Sequence, residues 1–388
     1  MKKFNYCIVL IILTYAFVEL VSYAGIAFLS KVRHTRYEPV DTITAKHQKI
    51  VKRFIAQETD YYAFSPTLGW TVRKNGSKGL YQANSSALRS NREYSIKPPR
   101  HIHRISTFGD SFTHGDDVKN NETWQAVMEN TNPGLEVLNF GVGGFGLDQA
   151  YLRYLEDGRQ FKSHLVFIGY MSENINRNVN TYRPFYHPKT GTPLTKPRFI
   201  VKDGNLTLLP NPMQRLGDYK TLLLHPQERL THLGSNDYFF KRRYTSNMFD
   251  WSPTVKLVKI STYKFSKRSP EQDITLNGHY NPSSEAFVVT KRIFDDFYSS
   301  AIKNQSTPII LIFPDSTDVT RYRKKNKKRY SPLLSYLNSV GYKYIDLMGA
   351  FQNTAIKDLF SGHYTPLANR LVAKHILKNF DHQNRIGN

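Results

Sequence analysis

The chain has 388 residues, 40% of them hydrophobic, with 25 Tyr and 24 Phe; this builds a sizeable core, in one large domain or two small ones, and excludes a disordered chain. Cys7 is the one cysteine, so an intramolecular disulfide and a cysteine-based metal site are both excluded. A formal net charge of +23 predicts attraction to polyanions such as acidic polysaccharide, anionic lipid or nucleic acid, but no nucleic-acid motif accompanies it, so nucleic acid is not an expected partner.

The N-terminus reads "MKKFNYCIVLIILTYAFVELVSYAGIAFLSKVR". Two lysines precede an apolar run from Tyr6 to Leu29, long enough for a helix to cross a hydrocarbon core of ~30 Å. Glu19 is the one charge inside it, either tolerated by a long helix or in contact with a membrane partner. The run exceeds the apolar region of a signal peptide and no Ala-x-Ala site succeeds it, so residues 1–33 are expected to be an uncleaved membrane anchor. Lys31, Arg33 and Arg36 outnumber Lys2 and Lys3, which argues against translocation of the C-terminal part, yet long domains translocate largely regardless of charge. The expected arrangement is a single-pass anchor with the bulk domain outside the cytoplasm, periplasmic in a bacterial cell.

Residues 34–100 read as a juxtamembrane linker and a lead-in rich in turns and short strands. From residue 101 the pattern becomes regular. "HRISTFG" is a strand, "TWQAVMEN" a helix, "LEVLNFGV" a strand, "GLDQAYLRYLEDGRQF" a helix and "HLVFIGY" a third strand. About 176–281, rich in Pro, Tyr, Asn and Arg, breaks the alternation and reads as an insertion or cap. "SSEAFVVTKRIFDDFYSSAIKN" then predicts a helix capped by Ser283 or Ser284. "TPIILIFP" is a fourth strand, a basic helix comes next, "YKYIDLM" is a fifth strand, and "TPLANRLVAKHILKNF" closes as an amphipathic helix with Pro366 in its first turn. Strands alternating with helices predict a parallel α/β sheet covered on both faces. No internal repeat is visible. The densest basic run, "RYRKKNKKRY" from Arg321 to Tyr330, is either a solvated helix face or an anion-binding surface.

Sites on such a sheet form outside the carboxyl ends of the strands, and four stretches fall there. Gly109-Asp110-Ser111 offers a hydroxyl beside free backbone N–H groups, as an acyl-transfer nucleophile requires. "NFGVGGFG", Asn139 to Gly146, lets backbone N–H groups approach an oxyanion. "YMSENINRN", Tyr170 to Asn178, carries carboxamides able to donate to the same oxyanion. "SGHYTPLANRLVAKH", Ser361 to His375, sets His363 in a polar turn, where it can serve as general base. Singly, each also fits an ordinary turn, loop, helix cap or incidental histidine; together, in this order, they point to one site.

These stretches resemble the SGNH (GDSL-type) hydrolase superfamily, in its membrane-anchored bacterial form. The resemblance covers Arg104 to Lys378, with the insertion unmatched, and implies a flavodoxin-like three-layer α/β/α fold with about five parallel strands. "FGDSFTHGDDV" matches the first block and implies Ser111 as nucleophile, its own N–H joining the oxyanion hole. "VLNFGVGGFGLDQAYLRY" matches the second, and the glycine donor five residues after the Asn is Gly144. "GHYTPLANRLVA" matches the last and implies His363 as base. Two departures stand out. The third block usually reads Gly-x-Asn-Asp and here reads Ser172-Glu173-Asn174-Ile175; a carboxylate cannot stabilise an oxyanion, so Asn174 rather than Glu173 is the candidate donor. The Asp usually found three residues before the His is replaced by Phe360. Asp358, five residues before, is the candidate acid, the alternative being a Ser-His dyad with a backbone carbonyl orienting the imidazole. Asp315, Asp318 and Asp346, near the last strands, are expected to cap helices or carry surface charge. Aromatic and Arg residues of the insertion ("NTYRPFY", "YFFKRRY", "NMFDWSP") form either a carbohydrate-facing wall or the insertion's own core.

The resemblance implies a serine esterase acting on an O-acyl ester, expected to be acetyl, and the membrane anchor and basic surface point to an acylated, acidic cell-surface polysaccharide as its substrate. The same acyl-enzyme with a sugar hydroxyl as acceptor would make an O-acetyltransferase, fed by a membrane-bound acyl donor protein, and a degenerate domain would only bind glycan. No cofactor and no metal are expected.

Overall fold

The computed structural model describes residues 2–265 and 272–386. Five strands form its central sheet: β1 (His103–Phe108), β2 (Leu135–Asn139), β3 (Leu165–Met171), β4 (Thr307–Phe313) and β5 (Tyr344–Asp346). All pairings within it are parallel, in the order 2-1-3-4-5, which is the flavodoxin-like order. The order reverses between β1 and β3, and that is where a crevice opens at the carboxyl edge. The central strands β3 and β4 are rich in Ile, Val, Leu and Phe because both of their faces are buried, β3 at all seven positions,.

The helices that position the rest are α1 (Lys2–Arg33), α2 (Ser111–His114), α3 (Trp124–Thr131), α4 (Leu147–Arg153), α5 (Asn174–Arg177), α6 (Pro253–Phe265), α7 (Glu285–Lys303), α8 (Ser316–Lys325), α9 (Ser331–Ser339) and α10 (Pro366–Ile386). Two layers flank the sheet. Tyr170 of β3 meets Phe294 of α7 edge-on, ring centroids 5.5 Å apart, and Phe167, on the opposite face, stacks on Phe380 of α10 at 5.6 Å. α7 starts where its cap dictates: Ser284 accepts from the Phe287 N–H at 3.2 Å, satisfying one orphan donor of the first turn. Asp315 caps α8 in the same way, and Asp346 caps the short 3-10 turn just after β5.

Before β1 lie a helix, Ala45–Ile55, and two small antiparallel hairpins, Tyr62–Ser65 with Gly69–Val72 and Ser77–Lys78 with Tyr81–Gln82. Between α5 and α7 the chain leaves the sheet. There the aromatics of the insertion pack on one another: Tyr182 on Phe185 at 5.0 Å, Phe185 on Phe240 at 4.9 Å and Tyr186 on Phe239 at 4.8 Å. Tyr182 and Phe185 are buried, so there the insertion forms its own core. α1 is long and apolar enough to cross a membrane.

Candidate active site

Ser111 is the first residue of α2, three residues past the end of β1. Asp110 makes that turn possible: its Oδ1 accepts from the Phe112 N–H at 2.9 Å, and its Oδ2 lies 3.3 Å from Nη1 of Arg177. Burial pushes the Asp110 carboxyl up, against the pull of Arg177. Among the described residues neither the Ser111 hydroxyl nor its N–H has a hydrogen-bond partner, as expected of the first N–H of a helix.

Arg177 ties three of the four loops into one unit. From α5 its Nη1 reaches both Asp110 and the Phe145 carbonyl, the latter at 2.8 Å, and its Nε donates to Glu173 Oε2 at 3.1 Å. The Val142 N–H donates to the Gly109 carbonyl at 3.0 Å, which closes the second loop onto the first. Gly144 lies in that loop with φ +82, a left-handed conformation that glycine adopts at no steric cost, and an added Cβ would stand 3.4 Å from the Trp70 ring,. Its N–H is also without a partner among the described residues.

Asn174 opens α5 and is fully buried, yet neither its Oδ1 nor its Nδ2 finds a hydrogen bond. A buried carboxamide left unpaired costs roughly 1–3 kcal/mol, so such groups are rare away from functional sites. The neighbouring Glu173 is engaged elsewhere, by Arg177 and by the Tyr186 hydroxyl. Burial raises its carboxyl, but Arg177 and Arg183 outweigh that and hold it at about 2.

His363 sits on a two-residue hairpin, Phe360–Ser361 against His363–Tyr364, turning at Gly362. Gly362 has φ +80, and a Cβ there would lie 3.0 Å from Asp117 Oδ2, so turn and close approach both select glycine. The Tyr364 hydroxyl donates to the Pro314 carbonyl at 2.7 Å, tying the hairpin to the end of β4. The His363 ring meets the Phe112 ring at 5.4 Å, beside Ser111. Its Nδ1 is 2.7 Å from Asp117 Oδ2, and its Nε2 has no partner among the described residues.

That pairing corrects the expectation for Asp358. The acid at the His363 ring is Asp117, which also displaces the alternative of a dyad with a carbonyl orienter. Asp358 is exposed; its backbone N–H donates to Ala355 O and its carbonyl accepts from Thr365 Oγ1 at 2.6 Å, while its side chain makes no contact with the ring. The position three residues before His363 is taken by packing: Phe360 lies against Phe351 and Tyr364. Asp117 itself has φ +68, a left-handed conformation that Asp tolerates, and its N–H donates to the Tyr81 hydroxyl at 3.0 Å. The visible signal was the Asp116-Asp117 doublet five and six residues after Ser111.

A second histidine, His114, lies one turn from Ser111 but is occupied at both nitrogens. Nδ1 meets Asp116 Oδ1 at 2.5 Å and Nε2 the Tyr61 hydroxyl at 2.7 Å. Burial, with Arg89 beside it, depresses His114 to about 4. It is neutral and structural, whereas His363 is partly exposed with one nitrogen open. Among the described residues no cluster of His, Cys, Asp or Glu is placed to hold a metal ion.

No family model and no curated protein matches the chain. Among solved structures it is similar to a member of the lipolytic protein G-D-S-L family from Veillonella parvula, at 14% identity over 72% of this chain and 98% of that one, TM-score 0.34. It is similar to a GDSL-like lipase from Bacteroides thetaiotaomicron, at 12% identity over 74% and 91%, TM-score 0.34. It is also similar to a variant of an acetyl-xylooligosaccharide esterase from Geobacillus Stearmophilus, at 12% identity over 71% and 93%, TM-score 0.34.

Proposed function

We propose that the protein is a membrane-anchored serine esterase that removes an acyl group, acetyl by preference, from a cell-surface glycan. His363 Nε2 takes the Ser111 proton, and Ser111 Oγ attacks the ester carbonyl. The resulting oxyanion is held by the N–H groups of Ser111 and Gly144 and by the Asn174 carboxamide. His363 returns the proton to the departing sugar oxygen, leaving an acyl-enzyme on Ser111. Water, deprotonated by His363, attacks that ester and releases the acid and the free serine. Asp117 holds the ring by its Nδ1–H and stabilises the imidazolium. The observation that carries this reading is the buried, unpaired Asn174 carboxamide on the loop that Arg177 binds to the Ser111 turn.

An acidic glycan is favoured by the basic run around α8. Lys328 pairs with Asp346, Arg329 with Asp315 and Asp318, and Arg323 donates to the carbonyls of Phe351 and Thr354. Arg321, which donates to the Gly278 carbonyl at 2.7 Å, and Lys324, Lys325 and Lys327 line a cavity of about 500 Å³ with no acidic side chain among the described residues of its wall. It opens beside Ser316, just past β4, at the same carboxyl edge as Ser111.

The test is intact-mass spectrometry of the full chain in detergent after brief incubation with an activated acetyl ester, with Ser111→Ala alongside. An acetyl adduct on the wild type alone, cleared by water, is the expected result. Clearance only on addition of a glycan would replace hydrolysis by transfer to a sugar hydroxyl. No adduct, with ester turnover equal to that of Ser111→Ala, would overturn the enzymatic reading.

A further inference from the structure

We propose that the loop Ser246–Ser252 and the first turn of α6 are embedded in the lipid bilayer beside α1 and pinned there by Glu19. The inference rests on the reading of α1 as a retained membrane anchor and adds a second lipid-contacting element to it.

Glu19 is not an isolated charge in an apolar helix. Its Oε1 accepts from Ser252 Oγ at 2.6 Å and its Oε2 from the Thr254 N–H at 3.2 Å. The hydroxyls of Ser22 and Thr254 are 2.9 Å apart. Further along, a Cβ on Gly25 would touch Leu257 at 3.4 Å, and Lys264 Nζ donates to Thr35 Oγ1 at 2.6 Å. α6 therefore runs alongside the second half of α1, in the same direction, and its N-terminal turn satisfies the carboxylate.

The depth of this contact comes from helix geometry. A hydrocarbon core of ~30 Å takes up about 20 residues at 1.5 Å each. Within the apolar segment Phe4–Arg33, the earliest such window ends at Tyr23 and the latest begins at Thr14. Glu19 lies inside every one of them. If α1 crosses a membrane, Ser252 and Thr254 are within the hydrocarbon layer too.

The side chains there suit lipid. Met248 is 81% exposed, Phe249 56% and Trp251 67%, an exposed apolar cluster of the kind that marks a protein or membrane contact. The charges turn to partners instead: Lys259 pairs with Asp250 at 2.6 Å, and Lys256 and Lys259 lie over the Tyr37 ring. Asp41, which accepts from both the N–H and the hydroxyl of Ser246, marks where the segment leaves the folded domain. A single helix leaves a domain free to swivel; two packed elements joined by a hydrogen-bonded carboxylate set its height and tilt over the bilayer.

The chain has three tryptophans; Trp70 and Trp124 are buried at 1% and 0% exposure, so lipid quenching reports on Trp251. The full chain is reconstituted in phosphatidylcholine–phosphatidylglycerol vesicles with and without brominated acyl chains. Brominated chains should quench a component of the emission that Trp251→Phe lacks. Glu19→Leu should weaken that quenching, and Glu19→Gln, which still accepts from Ser252, should preserve more of it. Quenching of Trp251 by aqueous iodide and not by bromine, in vesicles that retain the intact chain after a carbonate wash, would overturn the inference while leaving the anchor in place. Loss of the chain to the wash, or a mass lacking residues 1–33, would show instead that the anchor reading itself fails, and the inference with it.

Discussion

The two ends of β1 treat polar groups in opposite ways. At its start, Arg104 is fully buried and fully used: Nε and Nη2 bind Glu136 Oε2 at 2.9 and 2.6 Å, and Nη1 donates to the carbonyls of Ser95, Ile96 and Phe161 at 2.7, 2.9 and 3.0 Å. Just past its other end, the Ser111 hydroxyl, its N–H and the nearby Asn174 carboxamide are left without partners among the described residues. Saturated polar groups hold a fold together; unsaturated ones at a strand end raise its free energy until a ligand arrives. Mutations at the two ends should therefore fail differently.

The largest expected effect is at the His363 partner. Asp117→Asn should lower kcat by up to about 10⁴-fold, the scale of losing a triad acid, while Asp358→Asn changes it less than about twofold; steady-state kinetics on an acetyl ester check both, and equal losses would restore Asp358. Arg104→Met comes next, at the saturated end. It leaves Glu136 short of its buried partner and should cost about 3–5 kcal/mol of stability in a urea melt, with kcat per folded molecule unchanged. Asn174→Ala should show the converse: kcat down by about 10²–10³-fold, as for an oxyanion donor, and no loss in the melt, because the carboxamide has no bond to lose. A destabilised Asn174→Ala with full activity would erase the contrast between the two ends.

The smallest effect sharpens the difference between the two histidines. His114 titrates at about 4 in the fold and near 6.5 when unfolded. Between those values the unfolded chain binds the proton that the folded one refuses, so stability is full above pH ~6.5 and falls as pH drops toward about 4. Thermal melts across that window should flatten in His114→Gln, whose carboxamide still bridges Asp116 and Tyr61.

The sheet was legible because its central strands are buried on both faces and are written largely in Ile, Val, Leu and Phe, as in "LVFIGYM" and "TPIILIF". The candidate loops were legible because glycine, serine and asparagine at strand ends have few reasons to cluster there. α1 announced itself by apolar length alone. What no local pattern carries is which loops meet across the fold. Asp117 and His363 are 246 positions apart and Glu19 and Ser252 are 233 apart, yet each contact is a single hydrogen bond effective over ~3 Å. Such contacts depend on how the strand ends converge and how the insertion returns to the anchor, and only the tertiary structure decides that.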